Sequence, residues 1–432
     1  MTPFRYCLTL GATAAALAGA IATFNYAVDP YLLFDVKRVH GFNDLKPSVA
    51  TRERMMKAYQ VSRINARTIV MGSSRPDLGI DPATASWPAS AQPVYNLSLV
   101  GSGIGAGLKY LRHYLAMNEK QAPHTLVVGL DFESFLYVPS QSGNPTVQRR
   151  TMGELEERLA VDDEGNPNPQ RTVRILKDRA LGLLSLDALG DSIKTIAGSR
   201  ASNAVNLEPN GHVSEASMRD AARADGFKLL FTQKHLEVIK QYGKPRRVLS
   251  DRADAPIRGF DTLRELLSLA KAKDIEVIFV IQPAHVSRLE LLDRMGYWDD
   301  YERWKRELTM LSAEAGTSQK VVLWDFGGYE RQVSETVPGK DSGASDMQWF
   351  WDPVHYTSKL GDMMVARIFK DGQAEGFGVQ LKPENVEAQI RKVRLDRDAF
   401  RTAMPEEAAR LSRLVCGTWP CPASNDIVAS AR

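Results

Sequence analysis

Short apolar runs that alternate with amphipathic segments constrain the fold of this chain more than any other feature. Between and after these runs, apolar residues recur at helical spacing over 105–117, 260–272 and 360–369. Strands that alternate with helices are typical of a parallel sheet covered by helices on both faces. The runs that we interpret as buried strands are 68–71, 94–97, 126–130, 276–281 and 321–326.

The alternation predicts an α/β fold with three layers (α/β/α) and a mainly parallel central sheet. We expect this domain to cover residues 67–372, with a large insertion at about 133–254 between the third and fourth strands. The insertion is polar and rich in turn residues, and we predict one amphipathic helix in it at about 214–242. We interpret the insertion as a lid or a partner-binding subdomain. Residues 373–432 are predicted to form a helical C-terminal tail.

One segment is apolar and long enough to cross a membrane. No charged residue occurs from Tyr6 to Val28, and a span needs about 20 apolar residues. With Arg5 before the segment and Asp29 after it, the positive-inside rule places the bulk of the chain outside the cytoplasm. We therefore predict a membrane anchor at 1–28, followed by a juxtamembrane linker at 29–66. A cleaved signal peptide is the alternative interpretation.

The charge and the cysteines limit the function classes. Lys and Arg number 55 and Asp and Glu number 52, so the net charge is +3, too low to indicate a nucleic-acid-binding protein. Cys416 and Cys421 enclose four residues and could form a small disulfide loop in an oxidising compartment, or remain free thiols. A zinc site would need two further ligands nearby, and this part of the sequence offers none. We predict no metal and no cofactor.

Two polar turns follow the first two predicted strands. Gly72-Ser73-Ser74-Arg75 comes directly after the first, where a serine hydroxyl can face a crevice and backbone N–H groups can hold an oxyanion. A turn with capping serines is the structural alternative. The second turn contains Gly101, whose N–H can approach a substrate closely. A flexible turn explains Gly101 equally well.

The third motif is Trp351-Asp352-Pro353-Val354-His355, late in the chain. A carboxylate three residues before a histidine can orient the imidazole, whose other nitrogen then takes a proton from a serine. His355 is the histidine with such an aspartate partner; a core or capping role is the structural alternative. Asp352 and His355 as zinc ligands form a weaker option, because no third His or Cys accompanies them.

Together these motifs make the chain resemble the SGNH (GDSL-like) hydrolase superfamily, whose sheet is of the flavodoxin-like type. More narrowly, it is similar to the membrane-anchored branch that includes proteins of teichoic-acid D-alanylation and exopolysaccharide O-acetylation. The resemblance covers roughly 25–135 and 255–372. It is carried by Asn25…Val28-Asp29-Pro30-Tyr31, Gly72-Ser73-Ser74-Arg75, Tyr95-Asn96-Leu97-Ser98 and Asp352-Pro353-Val354-His355-Tyr356-Thr357.

The resemblance implies a role for each motif residue. Ser74 takes the place of the nucleophile, with Ser73 as the alternative, and His355 and Asp352 are the base and its orienting carboxylate. The N–H groups of Ser74 and Gly101 would form the oxyanion hole. Asp131 departs from the family pattern, because the superfamily commonly has an asparagine donor near this point and an ionised aspartate cannot donate.

Further residues near the motifs are candidates for substrate binding, in addition to Ser73 and Asp131. Trp349 and Trp351 flank the Asp-x-x-His motif and could stack on sugar rings, although core packing explains them equally well. Arg75 could meet an anionic sugar or form an ion pair with Asp77. His285 follows the fourth strand and could line the same crevice, or be an ordinary loop histidine.

We therefore expect a periplasmic serine acyl-transfer enzyme, tethered to the bacterial inner membrane by one helix. It would transfer an acyl group, most often acetyl, to or from hydroxyls of an envelope polysaccharide, as an O-acetyltransferase or an esterase. The resemblance implies a membrane-bound O-acyltransferase as partner. A non-catalytic scaffold or polysaccharide-binding subunit is the alternative, and a metal-dependent hydrolase using Asp131, Asp352 and His355 is a third hypothesis.

Overall fold

The computed structural model divides the chain into two compact units. The helical unit takes its residues from 1–65, 109–121 and 146–217, and the sheet unit from 66–108, 122–145 and 218–432. The predicted insertion is therefore shared between the units. The structure describes residues 2–119, 121–139, 153, 155–202, 204–243, 245–252, 255–339, 347–370 and 376–417.

Six short strands form one sheet, and helices precede, separate and follow them. The strands are β1 (Thr68–Met71), β2 (Val94–Asn96), β3 (Thr125–Leu130), β4 (Glu276–Ile281), β5 (Val321–Asp325) and β6 (Val379–Leu381). The helices are α1 (Pro3–Val28), α2 (Val49–Gln60), α3 (Ser74–Gly79), α4 (Ile104–Met117), α5 (Arg171–Leu184), α6 (Leu186–Ala201), α7 (Ala216–Asp225), α8 (Phe227–Gly243), α9 (Phe260–Ala272), α10 (Val286–Arg294), α11 (Trp298–Gly316), α12 (Ser358–Phe369), α13 (Val386–Ala403) and α14 (Pro405–Cys416).

The sheet lies wholly in the sheet unit and is mostly parallel. The strand order is β2-β1-β3-β4-β5-β6, and each neighbouring pair is parallel except β5 and β6. The central strands are buried along almost their whole length, as expected when helices cover a parallel sheet. The predicted α/β fold with a mainly parallel sheet is confirmed.

Two sequence predictions differ from the structure. The segment 373–432 is not wholly helical, because Val379–Leu381 adds an antiparallel edge strand to the sheet. The predicted helix at 214–242 is two helices, α7 and α8, separated by Gly226 with a φ of 79°. A left-handed residue cannot continue an α-helix, so the chain changes direction at this glycine.

The helical unit contains α1, α2, α5 and α6. A small core of Tyr31, Leu33, Met55, Tyr59 and Ala188 joins the segment after α1 to α2 and α6. Of the predicted linker at 29–66, residues 29–65 therefore belong to a packed unit. Buried within it, Lys46 donates from Nζ to the carbonyl oxygens of Val28 and Asp29, both 2.9 Å away, and so fixes the end of α1.

Helix α1 is long and apolar enough to cross a membrane. Its 26 residues would extend about 39 Å at 1.5 Å per residue. Its most apolar stretch is not buried, and burial begins only in the last two turns, at Asn25 and Val28. Of the described helices, α1 alone has this length and composition.

Candidate functional site

The sheet brings the first polar turn to a crevice at its edge. After β1 the chain continues into β2, which lies on one side of β1, while β3 lies on the other. Such a reversal of strand order opens a crevice beyond the carboxyl ends of the strands. Ser74 follows β1 and Asp131 follows β3, so both lie at this edge of the sheet.

Local geometry places Ser74 at the first position of α3. Ser73 is the N-cap, and its Oγ accepts from the N–H of Arg75 at 3.3 Å. Gly72 allows the tight turn before it, because a Cβ at this position would lie 2.5 Å from Pro76 Cγ. Ser74 is only partly buried, and as a first-turn residue its N–H has no intrahelical acceptor.

A hairpin-like loop carries Asp352 and His355. Trp351 donates from its N–H to the carbonyl of His355 at 2.9 Å, and Phe350 bridges to Tyr356 in antiparallel register. The Tyr356 hydroxyl donates to Gln282 Oε1 at 2.6 Å, which ties the loop to the end of β4. The loop therefore has a fixed position over the carboxyl edge of the sheet.

The three predicted triad residues lie in one hydrogen-bonded chain. Ser74 Oγ and His355 Nε2 are 2.8 Å apart, although 281 residues separate them in sequence. His355 Nδ1 lies 2.7 Å from Asp352 Oδ2. Asp352 Oδ1 accepts from the N–H groups of Val354 and His355 at 2.7 and 2.8 Å, so the carboxylate is held on both oxygens.

The environment keeps Asp352 ionised. Burial alone would raise the pKa of this carboxyl, but the neighbouring His355 and its hydrogen bonds outweigh burial and lower the pKa to about 2. Asp352 is buried, whereas the His355 ring is partly accessible. A buried anion beside a reachable imidazole is the arrangement that lets histidine accept a proton from a serine.

Gly101 lies in the loop that follows β2. The N–H of Leu99 donates to the Gly72 carbonyl at 2.9 Å, so this loop is tied to the turn that precedes Ser74. Gly101 is exposed, and its φ of 63° is a conformation that glycine adopts without steric cost. Within the described part of the chain its N–H has no hydrogen-bond partner.

Asp131 contacts Ser73 and Arg75 rather than the triad. Its Oδ2 accepts from the Ser73 hydroxyl, and its Oδ1 lies 3.1 Å from Arg75 Nη1. Burial raises the pKa of Asp131, and the Arg75 charge offsets this only in part. The carboxylate thus holds the turn that presents Ser74, and Arg75 is buried in this pair instead of facing a ligand.

A buried ion network extends from Arg75 through Glu133 to Arg288. Arg75 Nη2 lies 3.3 Å from Glu133 Oε1, and Arg288 Nη2 donates to the same oxygen at 2.6 Å. The two guanidinium groups lower the pKa of Glu133 to about 2 against the effect of burial. Sequence reasoning missed Glu133 and Arg288, and the charged Glu133 directly after a buried strand was the one local signal.

His285 is the N-cap of α10 and contacts the loop that carries Asp352. It is buried, its Nε2 is 2.7 Å from the Glu335 carbonyl and its Nδ1 is 2.8 Å from Ser287 Oγ. The histidine caps α10 through its side chain, and its backbone N–H donates to the Pro353 carbonyl at 3.2 Å. Both ring nitrogens therefore have partners within the protein. The backbone hydrogen bond to Pro353 supports the loop that carries Asp352.

Trp349 and Trp351 are also buried. The Trp351 ring stacks on Phe227 at 6.5 Å between ring centroids with an interplanar angle of 16°. Lys359 Nζ lies 5.3 Å from the centre of the Trp349 ring. Both indoles therefore pack inside the protein in this structure, and neither presents an open face for a sugar ring.

Two further sequence predictions concern cysteines and metals. Cys416 ends α14, whereas Cys421 lies outside the described residues, so their pairing stays a prediction. Among the residues that the structure describes, no group of three or more His, Cys, Asp or Glu side chains could hold a metal ion. Asp352 and His355 contact each other, and Asp131 pairs with Arg75.

Comparison of the chain with protein-family models, with curated proteins and with solved structures finds no match.

Proposed function

We propose that this protein is a membrane-tethered serine acyl-transfer enzyme that acts on hydroxyl groups of a cell-envelope polysaccharide. The observation that carries the proposal is the hydrogen-bonded chain from Ser74 through His355 to Asp352. Here the serine is partly accessible and the carboxylate is buried, which favours catalysis over packing.

The reaction begins when Ser74 Oγ attacks an acyl carbonyl carbon. His355 Nε2 accepts the hydroxyl proton as the new C–O bond forms, and Asp352 stabilises the imidazolium. The N–H groups of Ser74 and Gly101 donate to the oxyanion. His355 then returns the proton to the departing group, which leaves an acyl ester on Ser74.

A second hydroxyl completes the cycle. His355 removes its proton, the oxygen attacks the Ser74 ester, and the serine recovers its proton as the acyl group leaves. A sugar hydroxyl gives transfer and water gives hydrolysis. Because Asp131 replaces a donor that related sites have, and one missing oxyanion donor costs about 10²–10³ in rate, we propose a slow transferase rather than a fast hydrolase.

We propose a three-layer SGNH-like domain with α1 as a single span in the bacterial inner membrane and the sheet unit in the periplasm. The exposed apolar length of α1 supports this. A membrane-bound O-acyltransferase would supply the acyl group, and a tether beside it would keep Ser74 near the donor.

The experiment measures hydrolysis of p-nitrophenyl acetate by the full chain in detergent. Ser74→Ala is expected to lose at least about 10³-fold in kcat/KM, because it removes the hydroxyl that His355 contacts and that forms the acyl ester. Ser73→Ala is the matched control, since it removes a neighbouring hydroxyl that caps α3. We expect it to lower stability by about 1 kcal/mol while keeping most of the activity.

Equal rates in wild type, Ser74→Ala and Ser73→Ala would contradict the proposal. A non-catalytic scaffold or polysaccharide-binding subunit would then take its place. Loss in Ser73→Ala with full activity in Ser74→Ala would instead transfer the nucleophile's role to Ser73.

A further inference from the structure

Helix α5 in the helical unit has its amphipathic pattern reversed. Its buried residues are Arg174, Asp178 and Gly182, whereas apolar side chains on the opposite side face outward. Val173 is 69% exposed and Leu176 62% exposed. In a water-soluble helix the apolar stripe normally faces the core, so this helix needs a non-aqueous neighbour on its outer side.

The buried polar side chains of α5 form hydrogen bonds and ion pairs, which explains why the polar side of this helix faces inward. Asp178 accepts from the Tyr59 hydroxyl at 2.8 Å and from Arg158 Nε at 2.6 Å. Arg174 Nε reaches the same carboxylate at 3.1 Å. A buried carboxylate with three donors fixes the rotation of α5, and this rotation leaves the leucines outside.

Helix α6 repeats the pattern. It buries small and polar residues, namely Ala188, Ser192, Thr195 and Ser199. Leu186 is 78% exposed and Ile193 is 57% exposed. The outward apolar side chains of the two helices form what we call the hairpin face: Val173, Leu176, Leu181, Leu184, Leu186 and Ile193.

The turn between α5 and α6 lies against the end of α1. Asn25 Nδ2 donates to the Leu183 carbonyl at 2.9 Å, and Ser192 Oγ donates to Asn25 Oδ1 at 2.9 Å. About 20 helical residues from the start of α1 would cross the hydrocarbon core. Asn25 then lies at the boundary between lipid and water, together with the turn that carries Leu184 and Leu186.

The charges of α5 favour the same neighbour. Its one acidic residue, Asp178, is buried, whereas Lys177 and Arg179 are exposed. Exposed basic residues beside an apolar stripe are typical of helices that lie at the surface of a membrane with anionic lipids. Helix α1, whose apolar stretch is itself exposed, packs against both α5 and α6, so lipid is a neighbour that α1 and the hairpin can share.

We propose that the hairpin face inserts into the interfacial region of the bilayer that α1 spans. The α5–α6 hairpin is then a second membrane contact that fixes the orientation of the helical unit. This inference rests on the membrane-spanning part of the proposed function, not on its chemistry.

The test uses the full chain in nanodiscs of phosphatidylethanolamine and phosphatidylglycerol. In a Cys7→Ser background, single cysteines replace Leu184, Leu186 or Leu10 and carry an environment-sensitive fluorophore. Glu164→Cys, at an exposed polar turn of the same unit, is the matched control. The background without an introduced cysteine measures labelling elsewhere. Lipids spin-labelled near the headgroup then quench those fluorophores that lie at the interface.

We expect labels at 184 and 186 to lose fluorescence with the spin-labelled lipid and to emit at shorter wavelength than the label at 164. Full emission at 184 and 186, with the label at 10 quenched by deeply spin-labelled lipid, would overturn the inference and leave the tether intact. Blue-shifted but unquenched labels would mean a protein partner and would overturn it too. An unquenched label at 10 would contradict the proposal that α1 spans the membrane.

Discussion

Asp352 holds the candidate base by charge as well as by geometry. Asp352→Asn keeps a carbonyl oxygen for the N–H groups of Val354 and His355, but it places an amide donor opposite His355 Nδ1. The imidazole then carries its proton on Nε2 and cannot accept one from Ser74. We expect kcat for p-nitrophenyl acetate to fall by about 10⁴-fold, with little change in KM.

The control for this substitution is a measurement of whether the variant still folds. Circular dichroism of Asp352→Asn should match wild type at the assay temperature, because the loop keeps its two backbone hydrogen bonds, whereas the thermal midpoint should fall because the stabilising carboxylate is lost. Activity within a fewfold of wild type would show that Asp352 does not orient a catalytic base.

Contacts between residues close together in sequence could be predicted, whereas contacts between distant residues could not. Asp352 and His355 are three residues apart, and their spacing alone indicated a contact. Arg75, Glu133 and Arg288 are separated by up to 213 positions, and only the order of the strands brings them together. For His285 the sequence placed the residue near the strand end but did not reveal which way its ring points.

At the element scale, the contact between α3 and α12 couples the two halves of the site. Helix α3 begins at Ser74, and α12 begins three residues after His355. A Cβ on Gly361 would lie 1.7 Å from the Gly79 carbonyl oxygen, which is backbone and cannot rotate away. We therefore expect Gly361→Ala to force the helices apart, to lower the free energy of unfolding by about 1–3 kcal/mol and to reduce ester hydrolysis.

Gly105→Ala is the matched control for Gly361→Ala. Gly105 lies in α4, and a Cβ there would meet nothing within 4 Å, so alanine should raise stability by about 0.5–1 kcal/mol. Thermal unfolding and the esterase assay measure both variants. A wild-type midpoint and rate for Gly361→Ala would show that the α3–α12 contact does not set the distance between Ser74 and His355.

Element prediction succeeded where apolar periodicity was strong. The bounds of β1, β4 and α9 agree with their sequence runs, because each is a continuous apolar or amphipathic segment. Strand β6 was missed because three residues, Val379–Leu381, carry no period, and its place is fixed by pairing with β5. Within the predicted helical tail, α13 and α14 are divided before Pro405, where the missing N–H and the ring prevent continuation.

At the scale of the whole molecule, the sheet converts chain order into a site. Met71, Leu130 and Ile281 end neighbouring parallel strands, so Ser74, Glu133 and Gln282 meet at one edge although the intervening chain belongs in part to the helical unit. The ion network of Arg75, Glu133 and Arg288 lies under this edge. Protonation of this network in acid should therefore destabilise both the fold and the site.

The acid dependence of stability follows from the lowered pKa of Glu133. Because its folded pKa of about 2 is below the ordinary 4.5, ionised Glu133 stabilises the fold above pH 4.5, and this contribution is lost as pH falls from 4.5 to 2. Asp352 acts with the same sign, whereas the raised pKa of Asp131 opposes both.

We expect the thermal midpoint to fall steeply below pH 4.5 in wild type and in the variant Glu384→Gln, which changes an exposed carboxylate. Glu133→Gln should be less stable at pH 7, since removing one partner of a buried ion pair costs about 3–5 kcal/mol, and its midpoint should fall less on acidification. Parallel curves for Glu133→Gln and Glu384→Gln between pH 7 and pH 3 would show that the network does not govern acid unfolding.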